Sequence, residues 1–491
     1  MSDRSPLDAM LDALYGRVGE VAPQPRLTAP RRALELLGDP HRAYPIVHIT
    51  GTNGKTSTSR IIESLLRAQN LRTGLFTSPD LGRLNERIVV DGEPIDDDTL
   101  LAAWRDVEPY LAMADRDLEA AGEQPLTFFE ALTVLAYATF ADVPVDVAVI
   151  EVGMGGEWDS TNVADGQVAV FTPIDLDHMD RLGPTIGAIA RTKAGIIKPG
   201  RSVVSAVQAP EAIAELERAA ELSEAALSLE GRDFRVLSRT PAVGGQLVDV
   251  QGRAGRYDGV FVPLLGAHQA QNTAVAIAAV ETFVGDGSLA IDRQVLDEGI
   301  ALATSPGRLQ VVPAGSVGGG SATGVTLVVD AAHNPHGAAA LAAGLSESFR
   351  FSRVVAVLAV LSDKDAAGMV RAVADVVDEF VVTTAPSARA TDPDLLARAV
   401  VEVVGADRVV VEPDLERALQ TALEQAADAP EGDEGDTVGG TTVAGSLPDP
   451  SDSPDRPGAQ ASGGPGVIAF GSITLVARVL QIARENGWSA S

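Results

Sequence analysis

Residues Gly51-Thr-Asn-Gly-Lys-Thr56 follow the apolar run YPIVHIT (44–50) and open a helical pattern in which Ile61, Ile62, Leu65 and Leu66 share one face. A glycine-rich turn between a strand and a helix lets backbone N–H groups point inward at phosphate oxygens, and the helix N-terminus adds a favourable dipole. In such a loop Lys55 reaches the β- and γ-phosphates of a nucleotide, and Thr56 offers a hydroxyl to Mg²⁺. The match to G-x-x-x-x-G-K-[ST] is imperfect, because its first glycine falls at Ile49. Gly51, Thr52, Asn53, Gly54, Lys55, Thr56 and Ser57 are the expected nucleotide-binding residues.

Three further groups stand where apolar runs end, the place where ligands bind in parallel α/β sheets. Ser78 closes the run in GLFTSPDLGRLNERI, Glu151 ends that in VAVIEVGMGGEWDSTN, and His178 follows the next in TPIDLDHMDRLG. A hydroxyl, a carboxylate and an imidazole converging on one point suit Mg²⁺ bridging nucleotide phosphates. Each is weak evidence alone, since a single histidine past a strand is more often a surface residue. Their order on consecutive strands is what points to a site. Lys193, in IARTKAGIIKPG, reads by itself as a solvated lysine at a helix end.

The elements that must position these groups alternate along almost the whole chain. YPIVHIT (44–50), TGLFTS (73–78), VDVAVIEV (145–152), QVAVFTPI (167–174) and SVVSAV (202–207) predict buried strands, and TFFEALTVLAYATFA (127–141) predicts an amphipathic helix. Buried strands separated by helices imply an α/β fold with a parallel sheet. Residues 234–265 break the rhythm and predict a small antiparallel appendage. A second alternation begins after SPGRLQVV (305–312), with strands expected in VTLVVDAA, RVVAVLAVL, EFVVTTA, RVVVEP and GVIAFGS. The expected organisation is a P-loop-containing parallel-sheet ATPase domain at 1–303 and a smaller Rossmann-like α/β domain at 304–491. Within the latter, residues 430–466 carry seven acids, one arginine and almost no large apolar side chain. That composition predicts a disordered acidic insertion, and GSVGGGSATG (315–324) a shorter loop of the same kind.

The 491 residues carry 38 basic and 68 acidic side chains, a net charge of −30. That balance disfavours nucleic acid or an anionic membrane as a partner, because both require a basic footprint. With no cysteine there is neither a disulfide nor a thiolate metal site, which fits a reducing cytosol. The charged N-terminal stretch lacks the apolar core of a signal peptide, and no run of about 18 apolar residues occurs. A cytoplasmic protein is expected.

Taken together, GTNGKTS, SPDLGRLNERI, TFFEALT, IEVGMGGEWDSTN, DHMDRLGPTIGAIARTKAGIIKPG, GAHQAQN, SPGRLQ and DAAHNPHG follow the order of motifs in the folylpolyglutamate synthase/dihydrofolate synthase family of the Mur ligase superfamily. The resemblance runs from about residue 30 to the end, apart from the acidic segment. GTNGK alone marks the superfamily, and the glycine-rich and DH-containing motifs mark the folate branch.

The resemblance implies an ATP- and Mg²⁺-dependent amide ligase. A substrate carboxylate attacks the γ-phosphate, and L-glutamate then displaces phosphate from the acyl phosphate. The acceptor would be dihydropteroate, the glutamate tail of a reduced folate, or both, and the protein a monomer. Lys193 would carry a CO₂-derived carbamate and, with His178, hold a second Mg²⁺, while Ser78 and Glu151 hold the first; K⁺ is a further expected ion. Lys55, His178, Lys193 and His333 would be the catalytic residues. Asn272 would contact adenine, with Arg308 and Asp330 completing the ATP site. The folate pocket would comprise Arg83, Thr127, Phe128, Phe129, Glu130, Trp158, Asp159 and Ser160. His333 and Ser472 would bind glutamate.

Two positions depart from the family pattern. Thr56-Ser57 stands where the folate branch more often has Gly-Ser, and Glu157 where arginine is frequent. Both bear on substrate preference. A Mur-type ligase acting on a cell-wall precursor is the alternative, but only fifty residues precede the loop, too few for a UDP-binding domain. A GTPase would need an N-K-x-D motif, which the sequence lacks.

Overall fold

The computed structural model describes residues 5–19, 24–312, 324–428 and 463–488. The chain divides into two compact units, residues 1–239 with 247–306, and residues 240–246 with 307–491. Most of the expected acidic insertion, and most of the 315–324 loop, lie outside the described residues. The C-terminal limit of that insertion is corrected, since Gly466 already begins a strand.

The first unit is built on β1 (Ile46–Thr50), β2 (Thr73–Phe76), β3 (Ile88–Val90), β4 (Glu93–Pro94), β5 (Val147–Glu151), β6 (Val168–Phe171), β7 (Ser202–Ser205) and β8 (Ala226–Leu229). They form one sheet in the order β4-β3-β2-β5-β1-β6-β7-β8. Strands β2, β5, β1, β6, β7 and β8 run parallel, and β3 and β4 add an antiparallel edge. The short β4 and β8 escape a reading by apolar runs because edge strands need not be buried on both faces, and β3 escapes it because it is only three residues long.

Strand β1 lies between β5 and β6, with Ile49 opposite Glu151 on one side and Thr50 opposite Phe171 on the other. The loops after three strands distant in sequence therefore emerge side by side. One sheet face packs on helices Lys55–Ala68, Ala267–Gly285 and Arg293–Ala301, the other on Pro6–Tyr15, Thr28–Leu36, Asp97–Ala120 and Phe128–Asp142. The expected amphipathic helix at 127–141 is corrected here: Phe128–Asp142 is buried on nearly every side, so it lacks a polar stripe.

Residues 234–265 form a three-stranded sheet of β9 (Arg235–Ala242), β10 (Gly245–Gln251) and β11 (Arg256–Val262), ordered β11-β10-β9. The two- and four-residue connections are too short for parallel crossovers, so the strands are antiparallel.

The second unit carries β12 (Gln310–Val312), β13 (Thr326–Asp330), β14 (Val354–Leu358), β15 (Glu379–Val382), β16 (Val409–Val411) and β17 (Gly466–Phe470), in the order β12-β13-β17-β14-β15-β16. All but β12 are parallel, a Rossmann-like arrangement. Among the described residues no helix is long and apolar enough to cross a membrane.

Candidate active site

The glycine-rich turn after β1 is fixed by close approaches that only glycine permits. Gly51 has φ +154, and a Cβ there would sit 1.9 Å from Thr172 Oγ1; Gly54 has φ +86, and a Cβ would sit 2.7 Å from Asn272 Oδ1. Lys55 folds back over the turn, its Nζ donating to Gly51 O and Thr52 O at 3.3 Å each. The Thr56 hydroxyl donates to Glu151 Oε1 at 3.1 Å. The departure at residue 56 thus has a structural consequence, since a glycine could not make this bond. Behind the loop, Ser57 Oγ lies 2.7 Å from Ser305 Oγ and accepts from Gln269 Nε2 at 3.3 Å. Gln269 Oε1 in turn accepts from Asn272 Nδ2 at 3.0 Å, which ties Asn272 to the phosphate helix.

Lys193 is not a solvated helix-end lysine. It is 4% exposed, and its Nζ donates to Gly51 O at 2.7 Å, so two lysine head groups meet at one carbonyl. Packing explains the burial. The C-terminal turn of helix Ile186–Ala194 presses on the GMGG turn, where a Cβ on Gly156 would lie 2.6 Å from Lys193 O. A Cβ on Gly195 would lie 2.4 Å from Glu157 Cα, and Glu157 N donates to Thr192 O at 2.8 Å. Burial, reinforced by the Lys55 ammonium, brings Lys193 down to about 7, against the opposing pull of Asp177 and Asp159. Near neutrality a large fraction of Lys193 is therefore a free amine, a nucleophile that an ordinary lysine is not.

Glu151 ends β5 and is buried. Ser78 lies two residues past β2, beyond the strand's end, and is half-buried. His178 takes a left-handed conformation, φ 49 and ψ 40, with Nε2 3.8 Å from Asp177 Oδ2. Among the described residues no three His, Asp or Glu side chains form a ready metal cluster. The proposed donor set contains only two of those types, Glu151 and His178. The hydroxyls of Thr56 and Ser78 would have to supply further oxygens, and Lys193 would be an oxygen donor only as a carbamate.

The expected folate-pocket residues divide into two groups. Phe129 stacks on Phe76 at 5.8 Å, and Trp158 is half-buried against the apolar cluster around Ile189 and Leu182. Phe128 stacks on Tyr15 at 5.1 Å, with the Arg87 guanidinium 5.3 Å above the ring. Arg83 is exposed and pairs with Asp97 at 2.9 Å. The remaining four turn polar atoms inward. Thr127 and Glu130 form a capping box for helix Phe128–Asp142, and Glu130 also pairs with Arg26 at 3.0 Å. Ser160 Oγ lies 2.7 Å from Thr133 Oγ1. Asp159 accepts from Thr161 Oγ1 at 2.5 Å and from Met154 N at 2.9 Å, and burial holds its carboxyl above the usual range. Sequence reasoning passed over Arg26, Arg87 and His48. His48 Nε2 lies 2.9 Å from Thr161 Oγ1, and burial brings its ring down to about 3. For Arg87 the signal was present, in the same SPDLGRLNERI motif that supplied Arg83.

In the second unit, Asp330 ends β13 and accepts from Leu309 N and Ala332 N, both at 2.7 Å. It thereby fixes the turn that carries half-buried Arg308. His333 Nδ1 lies 3.0 Å from Ala331 O, a contact that places the proton of the neutral ring on Nδ1. The cap of helix Pro335–Ser348 is Asn334, not His333. Ser472 caps helix Ile473–Glu485. Because β13 and β17 are paired, with Gly471 N donating to Ala332 O at 3.0 Å, the His333 and Ser472 turns are neighbours.

With this geometry in place, known proteins supply a frame. Residues 49–280 match the Mur ligase middle domain, and residues 307–438 match the Mur ligase glutamate ligase domain. The dihydrofolate synthase/folylpolyglutamate synthase of Mycobacterium tuberculosis is 43% identical over 415 residues, 82% of this chain and 83% of that protein. The structure of M. tuberculosis folylpolyglutamate synthase complexed with ADP superposes with a TM-score of 0.85 at 38% identity, covering 97% of this chain and 98% of that one. Escherichia coli FolC in complex with DHPP and ADP superposes with a TM-score of 0.77 at 26% identity, covering 98% and 99%.

Proposed function

Since this chain belongs to the dihydrofolate synthase/folylpolyglutamate synthase family of Mur ligases, we propose that it joins L-glutamate to dihydropteroate, to the glutamate tail of reduced folates, or to both, at the carboxyl edge of its eight-stranded sheet. It is an ATP-dependent acid–amino-acid ligase. The observation that carries the site assignment is the convergence of Lys55 and Lys193 on Gly51 O. The Lys55 ammonium beside the phosphate-binding turn answers the main physical obstacle of this chemistry, the approach of a carboxylate to a polyanionic phosphate, and the Lys193 amine is held at the same carbonyl.

In the first step a carboxylate oxygen of the acceptor bonds to the γ-phosphorus, and the bond from that phosphorus to the β,γ-bridging oxygen breaks, releasing ADP. In the second step the amine of glutamate bonds to the acyl carbon, phosphate departs with the carboxylate oxygen, and the amine loses a proton. Loop N–H groups and Lys55 hold the γ-phosphate during the first step, and Asn272 orients the base. Lys193, half neutral near pH 7, adds to CO₂ as a free amine and releases a proton, which converts it from a cation to an anionic oxygen donor. The buried place of Lys193 beside Gly51, the Glu151 carboxylate and the Thr56 hydroxyl fit such an arrangement. Mg²⁺, when bound, would supply charge neutralisation for the phosphates and the incoming carboxylate; Ser78, Glu151 and Thr56 would hold one ion, and His178 and carbamylated Lys193 a second. Phe129 and Trp158 offer flat apolar surface for a pterin. Arg308 and Asp330 serve ATP, and His333 and Ser472 serve glutamate, from the domain at 304–491. The enzyme works as a cytosolic monomer.

Phosphate release with ATP and L-glutamate tests this reading, with dihydropteroate, tetrahydrofolate and a UDP-muramoyl acceptor run side by side. Either folate acceptor should stimulate release; stimulation by the muramoyl acceptor alone would overturn the assignment.

A further inference from the structure

We propose that Gln208 is a positioning residue for nucleotide binding, the outer clamp that holds segment 172–175 against the phosphate loop. The inference rests on the ligase reading above and adds a residue that touches no substrate. Segment 172–175 follows β6 and leads to His178. Its inner side is zipped to the loop. Thr172 N donates to Thr50 O at 2.9 Å, Thr52 N to Pro173 O at 2.9 Å, and Asp175 N to Thr52 Oγ1 at 3.0 Å. The Thr172 hydroxyl fills the space beside Gly51 that a Cβ would need. The course of Thr52 is therefore set by the course of this segment.

On the outer side, among the described residues, no backbone group pairs with Thr172 O or Ile174 N, and Pro173 has no N–H to contribute. Gln208, three residues past β7 and 8% exposed, reaches across and supplies the missing partners. Its Oε1 accepts from Ile174 N at 2.8 Å, and its Nε2 donates to Thr172 O at 3.0 Å and to Ser205 Oγ at 3.2 Å. A primary amide is the one side-chain group that offers an acceptor and two donors at this reach. Without it, a buried N–H and a buried C=O on either side of Pro173 lose their partners. The segment then moves toward water and takes Thr52 with it.

The test uses the full chain and two variants. Gln208→Leu removes donor and acceptor at similar volume, whereas Gln208→Glu keeps an acceptor for Ile174 N and loses the donation to Thr172 O. Calorimetry with ADP and AMPPCP reads nucleotide affinity, and hydrogen exchange over residues 172–178 reads the clamp itself. Gln208→Leu is expected to weaken both nucleotides about tenfold, the scale of one buried hydrogen-bonded pair. It should also accelerate exchange of the Ile174 amide while the KM for the folate acceptor stays within about twofold, the spread of an uncoupled site. Gln208→Glu should keep the Ile174 amide protected and fall between the two in affinity, which also serves if the leucine variant does not fold. Unchanged nucleotide affinity and exchange in both variants, with only a lower melting temperature, would overturn the proposal. So would an equal loss of affinity for nucleotide and folate. A wild-type chain that binds ADP but shows no folate-stimulated phosphate release would instead sink the ligase reading and leave the clamp standing.

Discussion

At the carboxyl edge of the eight-stranded sheet, Lys55 and Lys193 both donate to Gly51 O, and burial brings Lys193 to about 7. At the carboxyl edge of the six-stranded sheet, Asp330 accepts from two backbone N–H groups, His333 leans on Ala331 O, and Ser472 caps a helix. Both edges sit where parallel sheets place their ligands, yet they treat charge differently. In the first unit a buried lysine is pressed against a second one, which costs stability and is relieved when the buried amine gives up its proton. In the second the polar groups are satisfied by the backbone and shape a surface. Where charge is held under strain the chemistry is expected, and where it is satisfied, recognition.

Substitutions can break or sharpen that contrast. Lys193→Ala should cost the most, about 10³-fold in kcat, the scale of losing a group that stabilises transition-state charge. Bicarbonate should not rescue it, and near-wild-type turnover in the variant would refute the carbamate role. Lys55→Ala should lose about 10²-fold in ATP turnover while circular dichroism stays unchanged. His333→Ala should raise the KM for glutamate about tenfold, the scale of one lost polar contact, and leave ADP affinity alone; a fall in ADP affinity would place His333 with the nucleotide. A pH series sharpens the first edge further. Lys193 titrates near 7 in the folded chain and near its ordinary 10.5 when unfolded, so between those values the unfolded chain holds the extra proton. Stability in CO₂-free buffer should therefore rise with pH across that window. Denaturant titrations of wild type and Lys193→Met should show this slope in the former and not in the latter. Smallest of all, Ser472→Ala should cost about 1 kcal/mol of stability as a lost helix cap, read as a shifted denaturation midpoint.

Much of this was legible in the sequence because parallel strands buried on both faces announce themselves as apolar runs. The phosphate loop, Glu151 at a strand tip and His178 beyond the next followed from that pattern alone. Lys193 did not. Its neighbours on the helix look ordinary, and its burial comes from Gly156 and Gly195 letting two backbones meet, a contact between residues some forty positions apart. Glu130 and Asp159 carry a structural duty that their sequence neighbourhood does not announce, the one in a capping box and the other bracing a turn. A polar residue near a site is as often a cap or a turn brace as a ligand, and only the hydrogen-bond partners separate the two. The buried helix Phe128–Asp142 was misjudged as amphipathic because its threonines satisfy themselves on the preceding turn, as Thr133 and Thr139 do, and so need no water.

Strand order carries a consequence for how this enzyme comes into being. β1 is enclosed by β5 and β6, so the nucleotide signature, complete by residue 56, has no partner on either side until about a hundred further residues exist. A chain emerging from the ribosome displays the signature early but has no pocket until segment 172–175 arrives to set Thr52, and no second lysine until residue 193. Within the growing chain, recognition of ATP is therefore a late event, reached only after most of the first unit has been synthesised.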